Sequence, residues 1–203
     1  MSASATATIV GMDGGAQPSL RERKKMRTRE AVLREAFRLF ERNGYANTTV
    51  EQIARAAEVS PRTFFRYFPS KESLLSSDDC VEPIIDAFVR APADLSPVAA
   101  YRHALTEVFG SMPRDEFDFM ASRQYLMYTL PEVKGALHDE YLRTVRALAD
   151  AVAVRLNRPR EDPVVPVVAG AITGVLMATA DESPLSGDAV LTALDVLDKG
   201  LPA

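Results

Sequence analysis

Cysteine is almost missing from this sequence: Cys80 is the only one in 203 residues. A disulfide within the chain is therefore excluded, a thiolate zinc site would have a single thiolate and is not expected, and the usage fits a reducing, cytoplasmic compartment. Histidine is nearly as rare. His103 and His138 lie far apart and match no zinc spacing. The chain has no Gly-rich phosphate loop, no HExxH and no GxSxG. His138-Asp139-Glu140 invites an acid–base reading, but on a helix the three point in different directions, and no nucleophile accompanies them. Neither an enzymatic role nor a cofactor is expected. Residues 1–18 contain no Lys or Arg and no long apolar run, so they read as a Ser/Ala/Thr/Gly-rich disordered tail and not as a signal peptide. Strand alternation and internal repeats of 20–50 residues are also missing.

What is present is an ordinary globular composition, 47% hydrophobic and 26% charged, enough to bury a core. The net charge of −4 conceals an asymmetry. Residues 19–72 carry 13 Lys/Arg against 7 Asp/Glu, and residues 73–203 carry 11 against 20. A basic head on an acidic body suggests a polyanion-binding module joined to a different one; a solvated helix surface is the plainer alternative. Arg21, Arg23, Lys24, Lys25, Arg27 and Arg29 crowd the start of a helix expected from Leu20 to Asn43. That is the unfavourable end for cations, and external phosphate would compensate.

Leu33, Ala36, Phe37 and Phe40 form one apolar stripe on this helix, and Asn43-Gly44 supplies a left-handed stop. Thr49-Val50-Glu51-Gln52 has the capping-box pattern for a short second helix striped by Val50, Ile53, Ala54 and Ala57. Glu58-Val59 is a tight turn. Ser60-Pro61 restarts a helix, with Ser as N-cap and Pro at the first position. It holds Arg62 to Phe68 and stops at Pro69. Ser70 caps the next helix. Two short helices behind a longer basic one make a helix-turn-helix, although purely structural bundles also contain such pairs. Phe64 and Phe68 face inward on this reading, leaving Arg62, Thr63, Arg66 and Tyr67 outward.

The stretch Ser60-Pro61-Arg62-Thr63-Phe64-Phe65-Arg66-Tyr67-Phe68-Pro69-Ser70-Lys71, with Phe40 to Gly44, Thr48-Thr49 and Ile53-Ala54, resembles the TetR family of bacterial transcriptional regulators. Its wording is similar to the actinobacterial subgroup described as acyl-CoA-like-ligand regulators. The resemblance is specific over about a quarter of the chain, residues 25–75. It implies an all-α fold with a disordered tail at 1–18, a helix-turn-helix DNA-binding domain at 19–72, and a ligand-binding and dimerisation domain at 73–203. The implied function is a cytoplasmic homodimeric repressor on a palindromic operator of double-stranded DNA, released by a small, largely apolar effector, acyl-CoA-like or another hydrophobic acid. An effector-independent DNA-binding protein and a helical enzyme or carrier are the alternatives.

Base-edge contacts are expected from Arg62, by a bidentate fork to guanine, and from the Thr63 methyl against thymine, with Pro61 adding apolar contact. Tyr67 and Lys71 hold phosphates at the matching family positions. Thr48 and Thr49 offer hydroxyls or helix N-terminal N–H groups to the backbone. Ser60 belongs to the same surface, and Arg66 serves either role. Phe65 stands where many family members carry tyrosine, which puts its phosphate contact in doubt.

In the body, helices are expected near Lys71–Arg90, Pro97–Ser111, Arg114–Leu130, Pro131–Leu156, Pro163–Ala180 and Ser186–Gly200. Pro83 should kink or split the first. Ser183-Pro184 ends the fifth. The Met and aromatic cluster containing Phe109, Phe119, Met120, Tyr125, Met127 and Tyr128, with Arg123 and Met177, is the candidate effector lining; plain core is the commoner use of such residues. Pro163 to Ala180 carries no charge. The better reading for this soluble chain is a helix packed on a partner subunit, with Asp181-Glu182 following it. Val167, Gly170, Ala171, Gly174 and Ala178, with Ala193, Leu194 and Leu197, are the candidate dimer surface, on the resemblance to a family that pairs its last two helices; an ordinary monomer core is the alternative.

Overall fold

The computed structural model describes residues 19–75, 78–180 and 186–200. The expected tail, the Asp181-Glu182 end and the Ser183-Pro184 stop lie outside them. Among the described residues there are nine α-helices, two 3-10 turns and no strand. The chain divides into two compact units after Tyr67, whereas the sequence reading breaks it after Glu72.

In the first unit, α1 spans Leu20–Asn43. Ser19 caps it: its Oγ accepts from the Glu22 N–H at 3.2 Å, and its own N–H donates to Glu22 Oε2 at 2.7 Å. Hydrogen bonding from the Ser19 backbone N–H and side chain, with Lys25 nearby, holds the Glu22 carboxyl below the usual carboxylate range. The box satisfies backbone donors at a helix start that is otherwise cationic. Val32, Leu33, Ala36, Phe37, Leu39 and Phe40 are buried. Gly44, at φ 81°, ends the helix and donates to the Phe40 carbonyl at 2.8 Å. The second helix, α2, covers Val50–Ala56 and starts with the expected box between Thr49 and Gln52. Next, α3 covers Pro61–Tyr67, one residue short of the expected end. Ser60 Oγ accepts from the Thr63 N–H at 3.1 Å.

Between α2 and α3 the backbone of Glu58 is left-handed, at φ 54°. A side chain there costs roughly 1–2 kcal/mol. Glycine removes that cost but adds unfolded-state freedom. Glu58→Gly is therefore expected to stabilise the chain by about 0.5–1 kcal/mol, read as a rise in urea midpoint. A lower midpoint than the parent's would mean that the Glu58 side chain contributes contacts outweighing its backbone strain.

The second unit opens with a 3-10 turn, Glu72–Leu74, and continues with α4, Asp78–Arg90. The single helix expected over Lys71–Arg90 is thus two elements. Pro83 neither splits α4 nor ends it: it sits near the start, where its missing N–H forfeits one bond to the first turn. Then α5 spans Pro97–Ser111 behind an Ser96 cap, and α6 spans Arg114–Thr129. A 3-10 turn, Pro131–Val133, precedes α7, Lys134–Leu156. Asn157 ends α7 in the left-handed conformation, φ 50°. The last two, α8 and α9, cover Val164–Ala180 and Gly187–Lys199. The Asp162 carboxylate accepts the Val164 N–H at 2.9 Å; that bond and Arg158 hold its pKa below the usual range. Phe88, Leu105, Leu148, Ile172 and Leu194, all buried, centre a core to which α4, α5, α7, α8 and α9 contribute. Among the described residues no helix is long and apolar enough to cross a membrane.

Candidate nucleic-acid interface and apolar cavity

The two-turn helix α3 has one inward and one outward side. Phe64 is fully buried, while Phe65 is 51% exposed, and the two rings meet edge to face with centroids 5.4 Å apart. Pro61, Arg62 and Arg66 are exposed; Thr63 and Tyr67 are half-buried. Arg66 lies over the Tyr67 ring, 5.0 Å from its centroid, and donates to the phenol oxygen at 3.3 Å. The guanidinium thus lies against the ring, the stacking suited to a planar cation. Ser60 and Thr63 hydroxyls lie 2.9 Å apart, so both are engaged at the helix start. Arg21, Arg23, Lys24, Lys25 and Arg27 are exposed along the first turns of α1.

The two threonines before α2 separate. Thr49 is exposed; its N–H donates to Gln52 Oε1 and its Oγ1 accepts from the Gln52 N–H, leaving the hydroxyl hydrogen to face solvent. Thr48 is 1% exposed, and its hydroxyl lies 2.9 Å from the Gly44 carbonyl and 3.3 Å from that of Leu39. Its N–H bonds the Tyr45 carbonyl. Thr48 thus staples the α1–α2 turn and is not available for the expected external contact. Lys71 is half-buried at the opening of the second unit.

The second unit encloses a cavity of about 100 Å³. Of the expected lining, Phe109, Met120, Met127, Tyr128 and Met177 are in its wall. Phe119, Arg123 and Tyr125 are not. The reason is helical spacing. Met120, Gln124, Met127 and Tyr128 fall on one face of α6 at i, i+4, i+7 and i+8. Arg123 is buried at 2% exposure beside that face, and Tyr125 is 37% exposed. Sequence reasoning missed Tyr101, Gln124 and the whole α7 contribution: Leu137, Glu140, Tyr141, Thr144 and Leu148. The same periodicity, applied to α7, is the signal that finds them. Burial raises the Tyr101 phenol above its usual pKa. His138 and Asp139 are exposed while Glu140 is buried, so this triplet diverges as expected. Among the described residues no cluster of His, Cys, Asp and Glu is arranged to hold a metal.

On α8, Val167 is 68% exposed, and Gly174 and Ala178 are also exposed. Gly170 and Ala171 are half-buried, as are Ala193 and Leu197 of α9. A Cβ built at Gly170 or Gly174 would meet nothing within 4 Å, so open space faces both. Leu194 does not belong with them. It is fully buried in the core of its own subunit, because its stripe with Val190 faces inward. Val164 and Val196, at 40% and 46% exposure, add to the apolar surface instead.

Residues 32–77 match the family model described as bacterial regulatory proteins, tetR family. Residues 95–202 match the model for the MftR C-terminal domain. The transcriptional regulator TcmR of Streptomyces glaucescens is 40% identical over 148 residues, 71% of this chain and 59% of TcmR's own length. The transcriptional regulator EthR of Mycolicibacterium smegmatis is 29% identical over 169 residues, 76% of each protein. Among solved structures, Thermus thermophilus FadR, a TetR-family repressor in complex with lauroyl-CoA, is 25% identical with a TM-score of 0.50, over 86% of this chain and 95% of that one.

Proposed function

Because this chain belongs to the TetR family of bacterial regulatory proteins, we propose that it is a DNA-binding transcriptional regulator: a homodimeric repressor that binds a palindromic operator and is released by a small, largely apolar effector. We assign the DNA-binding head to residues 19–72 and the effector and dimer body to residues 73–203. The observation that carries this reading is the two-sided α3, with Phe64 buried and Arg62 and Arg66 exposed.

On this reading α3 enters the major groove. Arg62 forks onto a guanine edge. The Thr63 hydroxyl is engaged by Ser60, so its methyl is the group left to meet thymine. Tyr67, Lys71 and the Thr49 hydroxyl hold phosphates and set register. Arg66, stacked on Tyr67, extends the phosphate-facing surface. Phe65 gives apolar contact in place of the hydrogen bond a tyrosine would make. The apolar α8–α9 surface around Val167, Gly174 and Ala178 pairs two copies, and twofold symmetry then requires inverted half-sites about one helical turn, or a modest multiple, apart. The effector occupies the cavity. It releases DNA only if it prefers a shape of the body that misplaces the two heads.

The operator is obtained by selecting bound fragments from a random DNA library, and variants are then compared on it. Arg62→Ala is expected to weaken operator binding by about 1–3 kcal/mol and to relax preference at one base pair, whereas Lys71→Ala weakens all sequences alike. Affinity should fall steeply with salt, with a log–log slope near −0.9 per neutralised phosphate. If Arg62→Ala leaves the sequence preference intact in competition binding, Arg62 does not read a base. A flat salt titration removes the phosphate contacts altogether.

A further inference from the structure

The DNA contacts assigned to α2 and α3 leave the most basic segment of the chain unused. Residues 20–27 open α1 with Arg21, Arg23, Lys24, Lys25 and Arg27 against a single acid, Glu22. All eight residues are exposed, Leu20 at 79% and Met26 at 62%. No residue of α1 before Val32 is buried, so this stretch, roughly 12 Å long, stands clear of the core of its own unit. Farther along the same helix Arg34 pairs with Glu30 and Arg38 with Glu35. Among the described residues Arg21, Arg23, Lys24 and Arg27 make no ion pair and no side-chain hydrogen bond, and Lys25 has Glu22 as its neighbour. The Glu22 carboxylate, bound by the Ser19 N–H, already occupies the anion-attracting end of the helix. The unmet charge therefore belongs to the side-chain array and not to the helix end.

The capping box keeps the segment helical without a partner, which fixes where its cations stand. At about 100° per residue, Arg21 and Lys25 share one row, Arg23 and Arg27 share another on the opposite side, and Lys24 lies between. A flat acidic protein face meets one such row and leaves the other unmet. A DNA groove presents a phosphate strand on each side of a rod, and the major groove is wide enough to admit a helix. No packed neighbour fixes these long side chains, so they hold phosphates by charge and read no base. Because α3 fills the groove of the half-site itself, a second rod meets the duplex beyond it.

We propose that residues 20–27 are a second DNA-binding element, a sequence-independent contact with the phosphates of the duplex flanking each half-site. This rests on the regulator reading and extends it: the protein covers more DNA than α3 reads, and the added contact raises affinity without adding specificity.

The test uses the full chain and two duplexes, the selected operator trimmed to its half-sites and the same operator with ten further base pairs on each side. For the parent, the log–log salt slope is expected to be steeper on the flanked duplex by about 2 or more, the release of at least two phosphates' counterions per dimer. The combined variant Arg21→Gln, Arg23→Gln, Lys24→Gln, Lys25→Gln and Arg27→Gln should lose that difference. It should bind the flanked duplex at least about tenfold more weakly at low salt, the trimmed one less than about threefold more weakly, with base preference unchanged. Arg21→Lys, Arg23→Lys and Arg27→Lys together keep the charge and should keep the slope. The parent's own flank comparison needs no variant, so the test stands if the glutamine variant fails to fold. A parent slope indifferent to the flanks, an equal loss on both duplexes, no loss on either, or a changed base preference overturns the proposal. A parent that binds its operator selectively while the flanks and variants change nothing removes this proposal alone; a parent that binds no DNA removes the regulator reading and this element with it.

Discussion

Truncating Phe64 to alanine is expected to cost about 3–5 kcal/mol, the largest effect of any single change considered for the first unit. The ring is fully buried, and α3 is seven residues long, too short to be helical on its own. What holds it is the side chain it sends inward, together with the Ser60 cap. Removing the ring leaves a cavity that a two-turn helix cannot close without losing its own register. Phe65→Ala is the built-in comparison: the same residue type, one position on, 51% exposed. It should cost less than about 1 kcal/mol. Urea denaturation of the full chain, followed by circular dichroism, measures both. A cost below about 1 kcal/mol for Phe64→Ala would show that α3 is not anchored by this ring, and the outward placement of Arg62 and Arg66 would lose its physical cause. DNA affinity should fall with Phe64→Ala far more than with Phe65→Ala, since only the first disturbs the helix as a whole.

Arg155→Met should destabilise the second unit by about 2–4 kcal/mol. The guanidinium closes the end of α4. Its Nη1 donates to the carbonyls of Phe88 and Ala91 at 3.4 and 3.1 Å, and its Nη2 to those of Pro92 and Leu95 at 2.5 and 3.0 Å. It also lies 5.5 Å from the centre of the Phe88 ring. The Phe88 and Pro92 carbonyls have second donors in the N–H groups of Ala91 and Leu95, so the change falls most heavily on Ala91 and Leu95. Methionine preserves most of the apolar stem and deletes every donor, so the measured cost reports the fork and not lost packing. Arg155→Lys should fall between: an ammonium reaches one or two of four carbonyls spread across a turn. Lysine matching the parent would show that charge alone is sufficient. Val81, Ile84 and Ile85 of α4 line the cavity, so loosening this end should also disturb the cavity wall.

Local chemistry explains why so many boundaries were legible in advance. Ser19, Thr49, Ser60 and Ser96 cap α1, α2, α3 and α5, and Gly44 terminates α1. In each case a short side chain or a missing Cβ satisfies a neighbour three or four residues away, so the outcome needs no knowledge of the rest of the chain. The same holds for the inward Phe64 and outward Arg62, since a single helix face decides both. Asp162-Pro163 carries the same kind of signal for α8, an acceptor side chain just before a Pro at the helix start, its carboxylate taking the Val164 N–H.

Three things waited on packing. Thr48 and Thr49 are neighbours of identical chemistry, and only the turn against α1 makes the first a buried staple and the second a surface hydroxyl. Arg123 and Glu140 are both buried ionisable residues on helices, yet only Glu140 reaches the cavity, because the rotation of α6 and α7 about their axes is set by what each packs against. Leu194 reads like its neighbours Ala193 and Leu197, but the core of its own subunit claims it. One-dimensional order therefore settled which segments are helical, where they begin, and that a basic head precedes an acidic body, because those depend on interactions within a few residues. Which apolar side chains line a cavity, which stay exposed, and which buried ionisable residue reaches the cavity were decided only when the helices docked, because those depend on neighbours far away along the chain.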